Sequence, residues 1–330
     1  MRPGVGETMM GRISRITAAL AAPATAALIA ATVAGCGSGS ATTGTSTADL
    51  PGAGRPTVTI GDKNDTEQFV LGELYDQALT AKGFSIVLNR NIGPTDVTLQ
   101  AVDSGKLAMY PEYLNVWDTA IAHYRHTFDT LQGAFHGAQH WALRHGMKLL
   151  RPTPFADTVG IAVLRSYASA HGLRSLGSLR RVASQLTLGA PPQFIQSPNG
   201  LPALEQVYGF TPAHVATVEI GSQYQALAQG TIQAAYVNST DPQLATAQFQ
   251  LLKDPRELFG YGNVVPVINA RALAQEGPAF ARTIEAVDRL LTEPVMRELN
   301  AEVSLDGKTP QAVAQLFLQQ HGLIPPSSPS

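Results

Sequence analysis

The sequence predicts an α/β architecture with largely parallel sheets, and three observations carry that expectation. From residue 57 onward, short β-branched or apolar runs alternate with segments of helical periodicity. The C-terminal stretch is helical, with Pro294 and Pro310 where first-turn prolines belong and Gly322 at a helix end. At 330 residues, the chain is long enough for two lobes with separate cores.

The elements follow in order. Arg2, Arg12 and Arg15 precede a run of Ala, Leu, Ile and Val over residues 16–34, which ends in Val33-Ala34-Gly35-Cys36. This charged, then apolar, then small-residue pattern resembles a bacterial lipoprotein signal covering residues 1–35, with Cys36 as the lipidated first residue of the mature chain. The competing reading is a membrane span, which Pro23 and several threonines weaken. Residues 37–56 are Gly, Ser, Thr, Ala and Pro with little apolar content, so residues 36–56 are expected to be a flexible, lipid-anchored linker. Residues 57–60 read as a strand and 61–64 as a turn. Asp65 and Gln68 match a capping box that opens a helix with Val70, Leu71, Leu74 and Ala78 on its apolar stripe. Further strands are expected at 84–89, 107–110, 160–164, 186–189, 215–220 and 233–237, with helices at 96–104, 200–208 and 223–229. Residues 324–330 read as a disordered tail.

Composition excludes several functions. Cys36 is the only cysteine, so neither a disulfide nor thiolate chemistry is available to the folded chain. Lys and Arg number 23 against 25 Asp and Glu, and removal of the signal tilts the balance further toward acid. A mildly acidic chain without basic runs argues against nucleic acid and against a polybasic membrane patch. Enzyme signatures are absent: there is no Gly-x-Ser-x-Gly elbow, and Gly307-Lys308-Thr309 lacks the first glycine of a phosphate loop, with Glu302 in its place. His136 and His140 stand four apart on an expected helix, but no glutamate follows His136 and no further ligand completes a metal site. The chain therefore reads as a non-enzyme without cofactor or metal, and a metal-binding protein built on His136 and His140 is the weaker alternative.

One constellation carries a positive reading. Residues 61–72 run Gly-Asp-Lys-Asn-Asp-Thr-Glu-Gln-Phe-Val-Leu-Gly, and further blocks follow at Met109-Tyr110-Pro111-Glu112-Tyr113, Leu188-Gly189-Ala190, Gly200 and Tyr208-Gly209. Others lie at Tyr224-Gln225-Ala226-Leu227, Gly230, Ser239-Thr240-Asp241, Leu299-Asn300, Gly307 and residues 312–323. Together they resemble the substrate-binding lipoproteins of osmoprotectant ABC importers, which bind glycine betaine, choline and related quaternary amines. The resemblance spans residues 57–323. It implies a two-lobe type II periplasmic-binding-protein fold with two crossover strands, near residues 148–154 and 262–266. Lobe I would take residues 57–150 and 263–323, and lobe II residues 151–262. The resemblance also implies a monomeric receptor on the extracytoplasmic face of the cell membrane, held by its lipid, with a small solute and an ABC permease as partners. A sensory or scaffolding lipoprotein that kept the fold without transport is the alternative.

The resemblance also implies a ligand site, from which this sequence departs. In that family a trimethylammonium head sits among tyrosines, because ring faces attract a cation that cannot donate hydrogen bonds. Tyr113 matches one wall. Val159, Asn238 and Gly262 stand where three other aromatics belong, although Tyr261 is adjacent to the last. Asp65 replaces a phenylalanine and Val116 a threonine. The expectation is a pocket rebuilt for a ligand other than plain glycine betaine. Asp65, Gln68, Asp157, Thr158 and Asn238 would supply its hydrogen bonds, and Tyr113 and Tyr261 would stack on it. Several have a second reading. Gln68 completes the capping box, Asp157 caps a turn, and Asn238 and Tyr261 set lobe closure. Tyr224 packs at a helix start, and Trp117 belongs either to core or to cleft.

Overall fold

The computed structural model describes residues 50–326. The signal segment, Cys36 and the last four residues of the expected tail lie outside the described residues. So does the greater part of the expected linker.

Two five-stranded sheets organise the chain. The first has the order β2-β1-β3-β10-β4, from β1 (Val58–Gly61), β2 (Ile86–Asn89), β3 (Met109–Tyr113), β4 (Met147–Leu149) and β10 (Val264–Asn269). The second has the order β7-β6-β8-β5-β9, from β5 (Val159–Leu164), β6 (Thr187–Ala190), β7 (His214–Thr217), β8 (Ala234–Asn238) and β9 (Phe249–Leu251). The alternation seen in the sequence is present. The sheets, however, are mixed rather than largely parallel: β10 runs antiparallel to β3 and β4, and β5 antiparallel to β8 and β9. The reversal arises because the strands that follow the two crossovers enter each sheet from the opposite end.

β4, β9 and β10 are not among the expected strands, and β10 is the longest of the three. All six of its residues are buried. Val264 and Ile268 face the core built on the Thr66–Ala81 helix, whereas Val265 and Val267 face the core around Trp117, the period-two alternation of a strand covered on both faces. Pro266 hides it, since proline is rare within central strands. The register places Pro266 opposite Pro111 of β3, so two imino residues face each other and the hydrogen bonds pass to their neighbours. Pro266 still accepts from the Leu150 N–H at 3.0 Å.

Two short crossovers join the lobes. Ala156 bridges Asn263 in antiparallel fashion, and the Asp157 N–H donates to the Gly262 carbonyl at 2.9 Å. The buried Asn263 amide holds both strands, donating to the carbonyls of Thr153 (2.9 Å) and Phe155 (3.1 Å). At Gly262 a Cβ would lie 1.8 Å from the Asp157 carbonyl oxygen. The aligned aromatic wall is therefore excluded at this position by close approach of backbone to backbone. Gly262→Ala should lower stability by about 1–3 kcal/mol, the usual cost of overpacking a filled site. The urea midpoint checks this, and an unchanged midpoint would show that the crossovers separate freely.

Other local expectations resolve simply. Residues 50–54 turn back onto the domain instead of continuing the linker: the Gly52 N–H donates to the Lys82 carbonyl at 2.9 Å, and a Cβ on Gly52 would meet the Phe84 nitrogen. Trp117 is fully buried, edge-to-face with Trp141 at 5.5 Å, and so belongs to the core. Lys308 pairs with Glu302 at 2.9 Å and Thr309 caps the Pro310–Gln320 helix, so the residues that suggest a phosphate loop instead open a helix.

Candidate ligand cleft

The site begins at the first turn of the Thr66–Ala81 helix. The Asp65 carboxylate accepts the Gln68 N–H at 2.8 Å, the N-cap that the sequence predicts. The reciprocal half of the capping box is absent. The Gln68 Oε1 accepts the Lys63 N–H at 3.4 Å, and the Asp65 N–H goes to the Lys63 carbonyl at 3.1 Å. The Gln68 Nε2 is buried and makes no full hydrogen bond. This turn directs Glu67 and Gln68 inward, and both are buried.

Glu67 is the hub that the sequence reading left without a role. Its Oε1 accepts the Tyr113 hydroxyl at 3.0 Å, and its Oε2 accepts the Asn300 amide at 2.9 Å. Asn300, on the Glu293–Ser304 helix, also donates to the Thr240 carbonyl in lobe II at 3.1 Å. Arg297 on the same helix donates to the Ser239 carbonyl at 2.7 Å. Asp157 approaches from the first crossover, with Oδ1 buried and unpartnered. Burial pushes the Asp157 carboxyl well above the usual range, and the Glu67 charge raises it further. Glu67 is also raised, by burial, against donors from Thr240, Asn300 and Tyr113. Asp65 is exposed as a residue, yet the protein crowded around its carboxyl raises that group too.

Tyr113 is already engaged within the protein. Besides its bond to Glu67, its ring carries the Lys63 ammonium 5.3 Å from the centroid. Lys63 is held there by an ion pair with the fully buried Glu112. Tyr224, in contrast, is a packing residue: its hydroxyl donates to Asp241 at 2.9 Å and its ring meets Phe249 edge-on at 4.9 Å.

The candidate residues thus divide. Asp65, Gln68, Tyr113 and Asp157 gather around Glu67. Tyr261 instead lines a cavity of about 450 Å³ between the lobes, together with Val116 and Val159, two of the positions altered from the family pattern. Thr158 is tied to the hinge, where its N–H donates to the Ser239 Oγ at 2.9 Å, and it borders a second groove of about 710 Å³. Asn238 ends β8 with an exposed side chain, and its N–H donates to Asp241 at 3.1 Å. Glu67, Thr240 and Asn300 were all inside blocks that carried the family resemblance. Their convergence was the readable signal, but nothing in the chain says that the blocks meet. Among the described residues, no three His, Cys, Asp or Glu side chains gather where a metal ion could be held.

Two α/β lobes joined by paired crossovers, with a cleft between them, define a solute-binding protein of the type II periplasmic class. Residues 56–320 match the family described as the substrate binding domain of ABC-type glycine betaine transport systems, and the chain belongs to that family. A glycine-betaine-binding protein of Pseudomonas aeruginosa is 28% identical over 281 residues, covering 81% of this chain and 89% of its own. The glycine betaine-binding protein YehZ of Escherichia coli is 29% identical over 289 residues, covering 83% and 93%. The structure of apo YehZ matches with a TM-score of 0.74 at 28% identity, over 81% of this chain and 99% of that one. The chain is accordingly a substrate-binding protein of the osmoprotectant ABC importers. No helix among the described residues is long and apolar enough to cross a membrane.

Proposed function

We propose that this protein is a lipid-anchored solute receptor, held outside the membrane through Cys36, that delivers to an ABC permease a ligand other than plain glycine betaine. Lobe I takes residues 57–150 and 263–323 in this reading, lobe II residues 151–262, and the receptor acts as a monomer. The supporting observation is the state of the cage. Its surviving wall, Tyr113, spends its hydroxyl on Glu67 and offers a ring to Lys63. Val159 and Asn238 provide no ring, and Gly262 has no room for one. Cation–π partners contribute about 0.5–2 kcal/mol each, so loss of three removes most of the affinity for a trimethylammonium head. Polar groups take their place: Asp65, Gln68, Asp157, Thr158 and Asn238 are the ligand-binding candidates, with Tyr113 and Tyr261 as apolar walls. No catalysis is involved, because differential affinity of open and closed lobes for the ligand does the work.

Calorimetry on the purified protein tests this reading. Glycine betaine and choline should show weak binding or none. Tight binding of either would overturn it.

A further inference from the structure

The cavity of about 450 Å³ is walled by both lobes and by the return crossover. This volume lies within the range of about 300–1,000 Å³ found for clefts that bury drug-sized ligands, and a compact methylated amino acid would leave much of it empty. Two phenylalanines and a tyrosine line it, Phe128, Phe259 and Tyr261, none at an aligned cage position, and the His126 imidazole lies 4.8 Å from the Phe128 ring. Two of them are braced from behind. Phe128 meets Tyr124 edge-on at 5.4 Å, and Phe259 lies 6.0 Å from Phe194. The Tyr124 hydroxyl is in turn fixed to the Gly137 carbonyl at 2.9 Å.

The cavity also contains an unpartnered acid. Asp118 lines it, and its Oδ1 is buried without a hydrogen-bond partner. The neighbouring Trp117, fully buried, pins the Trp117–Ile121 turn that presents it. Glu257 is a second acid in the lining; His126 is the one side chain there that can carry positive charge, and no Lys or Arg is among the described lining residues. A buried carboxylate oxygen without a donor is costly. A cation carrying N–H groups would relieve that cost with a charge-assisted hydrogen bond. A trimethylammonium group has no hydrogen to give.

We propose that this cavity takes an organic amine that retains N–H groups and carries an apolar or aromatic body, with its ammonium on Asp118 and its body between Phe128, Phe259 and Tyr261. This rests on the reading that plain glycine betaine is not the ligand, and it moves the ammonium contact from the Glu67 cluster to Asp118, with Tyr261 the wall common to both. Burial, which pushes the Asp118 carboxyl up to about 7, agrees with a group awaiting a positive partner.

Thermal shift and calorimetry on the purified protein provide the test, with phenethylamine and tryptamine as probes. Phenethyltrimethylammonium serves as the analogue without N–H and phenethyl alcohol as the neutral one. The amines should raise Tm and the two analogues should not. Asp118→Asn should weaken amine binding by about 10- to 100-fold, the range for a hydrogen bond to a charged group, while the unliganded Tm holds or rises. Phe128→Ala should weaken it by about two- to tenfold. The proposal is overturned if neither amine shifts Tm, if the trimethylated analogue binds as well, or if Asp118→Asn leaves amine affinity unchanged. A fall in unliganded Tm on Asp118→Asn would assign that residue to folding and also overturn the site. Tight glycine betaine binding is a separate outcome, which would fail the ligand reading above.

Discussion

Replacing Lys63 with Met should cost about 3–5 kcal/mol, the usual penalty for removing one partner of a buried ion pair. Glu112 would remain as a fully buried carboxylate. The remaining donors to it are the Tyr113 N–H at 2.8 Å, the Thr95 hydroxyl at 3.1 Å and the Tyr110 hydroxyl at 3.3 Å. Three neutral donors satisfy its lone pairs but do not neutralise its charge. Urea unfolding should show a lower midpoint with an unchanged slope. Lys63→Met combined with Glu112→Gln should recover much of the loss, because the uncompensated charge is then gone. A loss below about 1 kcal/mol would place the pair among exposed ion pairs of little worth. The substitution also uncovers the Tyr113 ring, so it reports on the internal use of that wall.

The second large effect is on pH dependence. Tyr75 and Asp288 are both buried, and the tyrosine hydroxyl donates to Asp288 Oδ1 at 2.7 Å, while Oδ2 has no partner. Burial pushes the Asp288 carboxyl up to about 8. Glu285 adds to the rise, and the Tyr75 hydroxyl and Arg289 oppose it. The folded state therefore holds a proton that the unfolded chain, with a carboxyl pKa of about 3.9, releases earlier. Stability from this group is fully present below about pH 4 and is lost as pH rises toward about 8. Asp288→Asn keeps the oxygen that accepts from Tyr75 and cannot ionise. Its Tm should exceed that of the parent by a margin that grows from pH 5 to pH 8 and then levels off. The full difference is on the order of several kcal/mol. Parallel pH profiles for the two proteins would refute the assignment.

Both effects lie between residues far apart in sequence, Lys63 with Glu112 and Tyr75 with Asp288, and neither was legible in the chain. What was legible was local. The β-branched run at 57–60, the Asp65 cap, and the prolines at 294 and 310 announce themselves because the physics that selects them acts within a few residues. β10 escaped because Pro266 violates the local rule for central strands; it is admissible because its peptide edge points away from β3, toward Leu150 just past the end of β4. β4 and β9 are three-residue strands that acquire their conformation from a neighbour. The site shows the same division. Asp65, Gln68, Tyr113 and Asp157 lie around Glu67, but that hub carries no mark that separates it from any other helix-start acid. Phe128 and Phe259 belong to no motif. They become one wall only when the lobes bring them together.

The sequence by itself determined the family, the alternating α/β plan, the opening cap and the non-aromatic identities of Val159, Asn238 and Gly262, where the resemblance implies rings. Those are statements about residue identity and short-range periodicity, and a chain carries them whether or not it is folded. The tertiary structure decided the surroundings of those positions. It placed Gly262 against the Asp157 carbonyl so that no ring could stand there, turned Tyr113 toward Glu67 and Lys63, and left Asp118 facing a cavity without a donor. Contacts of this kind are set by the packing of sheets and crossovers far apart in the chain, and burial then fixes the energy of each polar group.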